Sequence, residues 1–391
     1  MALVDPEART TESSLPAEHA DDAVGSSHAQ PNETEPLETR ILLGILLGRK
    51  GLRAGWSIAL FAGVYFLLTA LVGSIFLDLH LIDPRDHFTA RAALFGELVS
   101  FLAMVAAGVV VALVERKRGN VLAYNLGGPN RAWRFFEGWV AGFIALSGLV
   151  GMLAWGGWLH FGPVALSGGQ IFQYAALWGI AFLLVGFVEE GMFRCFLLAT
   201  LTRGVNFWWA LGMVGAICLY LALTTKGNAV WGVYLLALLG LVPCLLLHVN
   251  KVEGSNFWQA AWVTSALFGF VHTGNNGENW IGIFAAAGIG FAFVVSVRVT
   301  GSAWWAIGCH AAWDWTETFF YGAADSGNVA TGHYLTTAPA GSALWSGGTD
   351  GPEGSVLVLA VIVMLIVALV AIYGRARDAR DPVPVNELAA G

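Results

Sequence analysis

Three ionisable residues, Glu189, Glu190 and Arg194, interrupt an apolar run at about 171–201. A charge at the centre of a membrane helix costs roughly 2.5–3.5 kcal/mol, so such residues face a bundle interior, find partners and mark function. On a helix Glu190 and Arg194 are i, i+4 neighbours and can form an ion pair, while Glu189 points about 100° away and keeps a free carboxylate. Taken alone, the group also fits a buried salt bridge that fixes packing. Phe268 and His272 share a face at the end of another apolar run, where the ring can shield the imidazole. In a third run, His310 and Asp314 are again i, i+4, so the carboxylate can take a hydrogen bond from one ring nitrogen and orient the ring. Glu317 continues that face towards the outer end, where solvation or capping is expected. One free carboxylate, two histidines and an orienting carboxylate are the parts needed to activate a water and to stabilise an oxyanion.

The same parts suit other chemistry. Glu189, His272 and His310 could supply three zinc ligands with a water in the fourth position. Each comes from a different run, no His pair at i, i+4 offers a half-site, and Arg194 opposes a dication. No cofactor is therefore expected, with zinc as the alternative. An ion-coupled transporter is the competing membrane-protein reading. It would use polar sites in both halves of a repeat, and the polar positions cluster between Glu189 and Asp314 with no matching set in the first 180 residues.

The composition says what must position these residues. Of 391 residues 57% are hydrophobic and 12% charged, with 49 Gly and 17 Trp, so a polytopic membrane protein is expected rather than soluble domains. The fold class is all-α, a helical bundle of about ten transmembrane helices. The ten runs lie near 56–77, 92–114, 136–158, 171–201, 207–224, 229–249, 257–272, 280–299, 303–321 and 356–373. No GxxxG pair or internal repeat is persuasive. Residues 1–38, acidic and nearly free of large apolar side chains, read as a disordered cytoplasmic tail without a cleavable signal. Residues 51–165 hold the N-terminal helices, 322–354 an external loop without Lys or Arg, 355–374 the last span and 375–391 a second cytoplasmic tail. With both termini inside, Arg40, Arg49, Lys50, Arg53, Arg116, Lys117, Arg118, Arg131, Arg134, Arg203, Lys251, Arg298, Arg375, Arg377 and Arg380 fall on the cytoplasmic side, and only Arg85, Arg91 and Lys226 fall outside. The four cysteines lie in apolar runs without CxxC spacing and read as packing residues. The expected partners are the lipid bilayer and a protein or peptide substrate; nothing resembles a nucleic-acid-binding patch.

In order along the chain, Glu189-Glu190-x-x-x-Arg194, Phe268-x-x-x-His272 and His310-x-x-x-Asp314 resemble the three motifs of the CAAX-protease and bacteriocin-processing (CPBP) intramembrane proteases. The resemblance covers about 170–321. It implies an intramembrane endopeptidase, in a bacterial cytoplasmic membrane, with Glu189 and His272 activating water, His310 and Asp314 supporting the oxyanion, and Glu190, Arg194 and Phe268 as supports. A catalytically silent relative that binds a membrane protein or confers immunity to a peptide toxin is the alternative within the family. This chain departs from the pattern in two places. Asp314 stands where the prenyl-protein endopeptidases usually carry Asn, and an extra helical hairpin at about 207–249 separates motifs one and two. Two extra spans preserve the orientation of everything downstream.

Overall fold

The computed structural model describes residues 36–48, 51–79, 88–115, 124–224, 230–252, 254–275 and 277–374. Residues 1–35 of the tail expected at 1–38, the tail expected at 375–391, and the cations at 49–50, 85, 116–118 and 226 lie outside the described residues. The chain divides into two units, Met1–Gly51 and Leu52–Gly391. In the first, α1 (Leu37–Leu46) is the described helix.

The second unit is helical. Its elements are α2 (Ala54–Asp78), α3 (Ala90–Val114), α4 (Arg131–Trp155), α5 (Gly169–Glu190), α6 (Leu198–Gly204), α7 (Phe207–Thr224), α8 (Val230–Val249), α9 (Ser255–His272), α10 (Trp280–Thr300), α11 (Trp304–Asp314), the short α12 (Ala343–Ser346) and α13 (Leu357–Leu369). Wide π-helical turns follow α5 at Gly191–Leu197 and α11 at Trp315–Tyr321. All ten expected apolar runs are therefore helical. Seven helices among the described residues are long and apolar enough to cross a membrane. The runs at α8, α9 and α11 are helical and are not among the seven. The extra hairpin is α7 and α8, which pack on each other and on α9.

The innermost element is α11, with every residue from Trp305 to Asp314 buried. It lies against α4 on one side and α5 on the other. Lipid provides no hydrophobic drive between helices, so association rests on close packing, which small residues permit. Glycine supplies that closeness here. A Cβ at Gly138 or Gly142 of α4 would fall on the carbonyls of Trp305 and Cys309, and one at Gly308 would fall on the carbonyl of Phe135. Gly138 and Gly142 form a GxxxG pair, so the structure corrects the sequence reading that found no such pair of consequence. Trp305, Cys309 and Trp313 then fill the space against Leu146, Leu149 and Leu153 of α4 and Phe293 of α10.

The segment expected as an external loop, 322–354, is a strap tied back onto the bundle. Its strand Thr337–Pro339 pairs antiparallel with Leu159–Phe161, and Thr331 bridges to Thr89 just before α3. Asn279, the N-cap of α10, accepts from the N–H groups of Ile281 (2.7 Å) and Gly282 (3.2 Å) and donates to the carbonyls of Gly347 and Gly354. The Asn279 N–H in turn donates to Asp350 Oδ2 at 3.1 Å, and the Gly327 N–H to the Asp350 carbonyl at 3.0 Å. Asp350 is fully buried.

Burial, with Glu278 nearby, raises the Asp350 carboxyl from the ordinary 3.8 to about 8, against the opposing pull of the Asn279 N–H. A folded state that holds a proton the unfolded state releases is favoured at low pH, and its advantage is lost as pH rises towards the folded value. Stability should therefore fall as pH rises towards about 8, and Asp350→Asn should flatten that decline. Thermal unfolding in detergent across the pH range, for both proteins, checks this; an unchanged slope in the variant contradicts it.

Candidate active site

Glu189 and Glu190 are the last residues of α5, and the helix widens into its π-turn immediately after them. Isolated π-turns in α-helices recur at functional sites. Glu190 and Arg194 are both completely buried and form the expected ion pair, with Nε to Oε2 at 3.1 Å. The pair is held at the backbone too, since Asn125 Nδ2 donates to the Arg194 carbonyl at 2.7 Å. Arg194 Nη1 and Nη2 have no hydrogen-bond partner. Aromatic faces stand in: the guanidinium carbon lies 4.2 Å from the ring centre of Phe268, 5.3 Å from Phe293 and 5.6 Å from Phe193. Gly290 of α10 makes room, because a Cβ there would sit 2.8 Å from Nη2.

The other oxygen of Glu190 takes His310: Nδ1 donates to Oε1 at 2.8 Å. Nε2 faces two further carboxylates, Asp314 Oδ2 at 3.6 Å and Glu189 Oε2 at 3.8 Å. The expected hydrogen bond from His310 to Asp314 is therefore not formed. Glu190 orients the ring instead, because the turn that brings Glu190 to α11 delivers a carboxylate at hydrogen-bonding distance, while the i, i+4 spacing leaves Asp314 too far. The ring of Phe293 stacks on the imidazole at 5.6 Å.

His272 ends α9. Its Nδ1 lies 2.7 Å from the Phe268 carbonyl. A carbonyl only accepts, so Nδ1 carries a proton, and in the neutral ring Nε2 is the nitrogen with the lone pair that a base uses. The Phe268 ring covers the imidazole at 4.8 Å, as its spacing predicts. Phe268 thus touches His272 and Arg194 at once and joins motif two to motif one.

Glu189, His272, His310 and Asp314 line one cavity of about 270 Å³ together with Phe268. Glu189 is the most open of the acids at the motif, with 31% of its side chain exposed. Three lining carboxylates were not expected: Glu97 of α3, and Asp325 and Glu353 of the strap. Glu97 comes from the first 180 residues, where no set matching the Glu189–Asp314 cluster was expected, and a single acid is not such a set. A single Glu in an apolar run was the available signal. Asp325 and Glu353 had none, because only the tertiary fold brings the strap over the cavity. Glu317, expected to be solvated or to act as a cap, is fully buried, and neither carboxylate oxygen has a hydrogen-bond partner. The strap that closes over this end of α11 removes the solvent it was expected to meet. Among the described residues no group of three or more His, Cys, Asp and Glu side chains is arranged to hold a metal ion.

Residues 244–316 match a family model described as type II CAAX prenyl endopeptidase, Rce1-like. The matched segment is similar to a CAAX-protease family. It runs from α8 to the second π-turn and contains Phe268, His272, His310 and Asp314, while Glu189, Glu190 and Arg194 precede it. The family resemblance read from the motifs thus recurs over the segment that carries motifs two and three. No curated protein and no solved structure gives a match.

Arg194→Ala leaves Glu190 buried without its counter-charge, a change that costs about 3–5 kcal/mol where one partner of a buried pair is removed. Denaturant or thermal unfolding of Arg194→Ala should show a loss of that order, and Glu190→Gln/Arg194→Met, which removes both charges, a smaller one. Equal stability of Arg194→Ala and the parent protein would show that the pair does not hold the site.

Proposed function

We propose that the protein is an intramembrane endopeptidase that hydrolyses peptide bonds of membrane-associated substrates with a water activated by Glu189 and His272. The coarser assignment, an integral membrane protein with a CAAX-protease-type segment, rests on the family match and on the long apolar helices. The observation that carries the finer reading is the meeting of Glu189, His272, His310 and Asp314 in one cavity, with His310 fixed through Nδ1 by a carboxylate that Arg194 also holds.

In this reading the water proton passes to Glu189, with His272 Nε2 as the second acceptor, and the hydroxide oxygen bonds to the scissile carbonyl carbon. His310 Nε2–H donates to the developing oxyanion, and Glu190 and Asp314 balance the charge on the ring. Collapse of the intermediate breaks the C–N bond, and the proton held by Glu189 goes to the departing amine. Atoms and protons balance with water as the one added reactant, so the chemistry closes on this chain's own side chains. We therefore propose a glutamate-type peptidase that needs no metal.

Glu189→Gln should lower cleavage by roughly 10²–10⁴-fold, the usual worth of general acid–base catalysis, with thermal stability retained. The assay is cleavage of membrane proteins by purified protein in proteoliposomes, and a fully active variant would sink the assignment. Activity should also survive chelation. Loss of cleavage on exposure to phenanthroline, with recovery on adding stoichiometric zinc, would instead favour Glu189, His272 and His310 as zinc ligands.

A further inference from the structure

Three carboxylates in the cavity wall have no part in the hydrolysis described: Glu97, Asp325 and Glu353. The two strap acids are positioned. Thr318 Oγ1 donates to Asp325 Oδ2 at 2.8 Å, and the Trp313 indole N–H donates to Glu353 Oε1 at 2.7 Å. Behind them, fully buried Glu317 leaves both carboxylate oxygens without a hydrogen bond, and its electrostatic neighbours are Glu353, Asp325 and Asp314. Among the described residues no lysine or arginine lines the cavity. The guanidinium nearest the motif, Arg194, is buried against Glu190 and enclosed by Phe193, Phe268 and Phe293, so it is turned away from anything that enters.

Burial raises the carboxyls of Asp325 and Glu353 above the ordinary carboxylate range, and Asp325 and Asp314 add to the effect at Glu353. His310 and His272 oppose the effect at Asp325, but two histidines face five lining carboxylates, so a cation entering beside them is stabilised as they ionise. A chain inserted by its own C-terminus would bring one more carboxylate into this wall, and juxtaposed like charges select against a partner.

We propose that the cavity selects peptides that present a cationic group, an ammonium or a guanidinium, beside the scissile bond, and that it disfavours a free C-terminal carboxylate there. The inference rests on the peptidase reading for the existence of a scissile bond and adds the substrate class. Asp325 and Glu353 act as specificity residues, and Glu97 of α3 adds a further acid to the wall.

The test uses full-length protein in proteoliposomes and a library of internally quenched peptides. One position carries Lys, norleucine or Glu, and each peptide is made with a free or acetylated N-terminus and as a C-terminal acid or amide. Asp325→Asn and Glu353→Gln keep the acceptor oxygens for Thr318 and Trp313 and remove only charge, so the double variant should fold; its thermal stability is measured alongside. Lys peptides should be cleaved about tenfold faster than norleucine peptides, the worth of one charge-assisted contact, amides faster than acids, and the double variant should bring the Lys-to-norleucine ratio close to one. A preference that survives N-terminal acetylation assigns the cation to the side chain. One that vanishes assigns it to the N-terminal ammonium, and both support the proposal. A ratio near one in the parent protein, or a ratio unchanged in the double variant, overturns it and leaves the peptidase reading intact. Cleavage that Glu189→Gln does not reduce overturns the peptidase reading. Anisotropy binding of the same peptides to Glu189→Gln protein reads the charge preference without turnover, and equal binding of Lys and norleucine peptides overturns the proposal in either case.

Discussion

One buried carboxylate carries the site. Glu190 divides its two oxygens between Arg194 and His310, and through those partners it gathers the π-turn after α5, Phe268 of α9, Phe293 and Gly290 of α10, and α11. Each member alone would be costly at this depth. A buried guanidinium needs a counter-charge, a buried carboxylate needs donors, and removing either strands the other. The aromatic rings around Arg194 replace the hydrogen bonds its Nη groups lack, so the pair stays dry without a full set of acceptors.

The surrounding helices make such a network possible by being thin where it matters. Gly138, Gly142 and Gly308 let the α4 and α11 backbones touch. A side chain at any of the three would move α11, and with it His310, which adjoins Cys309 at the contact. Here glycine contributes thinness rather than a special backbone angle, since all three positions are ordinary helix. The strap adds a second constraint from outside, tied to the N-terminus of α10 through Asn279 and Asp350, so the wall it supplies is a fixed part of the cavity.

Much of the motif chemistry was legible in the sequence because it is local. The Glu190–Arg194 pair and the Phe268–His272 contact follow from i, i+4 spacing, and charge in an apolar run announces itself. The His310–Asp314 spacing misled for the same reason: local reading favours the neighbour on the same helix, whereas the hydrogen bond goes to Glu190, 120 residues away. Glu97, Asp325 and Glu353 escaped because nothing near them in sequence records which cavity they meet. The glycine contact escaped because GxxxG spacing is common in apolar helices, and only the facing carbonyls of Trp305 and Cys309 give it meaning.

The burial of the inner pair has a further consequence for ionic strength. Mobile ions screen charges they can approach, over about 8 Å at physiological salt, and act far less on charges sealed inside protein. Arg194 and Glu190 are sealed by helices and by three phenylalanine rings, so the field they exert on His310 depends little on the medium. Glu189, Asp325 and Glu353 line an accessible cavity, and their field is tunable from outside. One site thus contains a fixed electrostatic reference and a wall whose pull on a charged visitor varies with the salt around it.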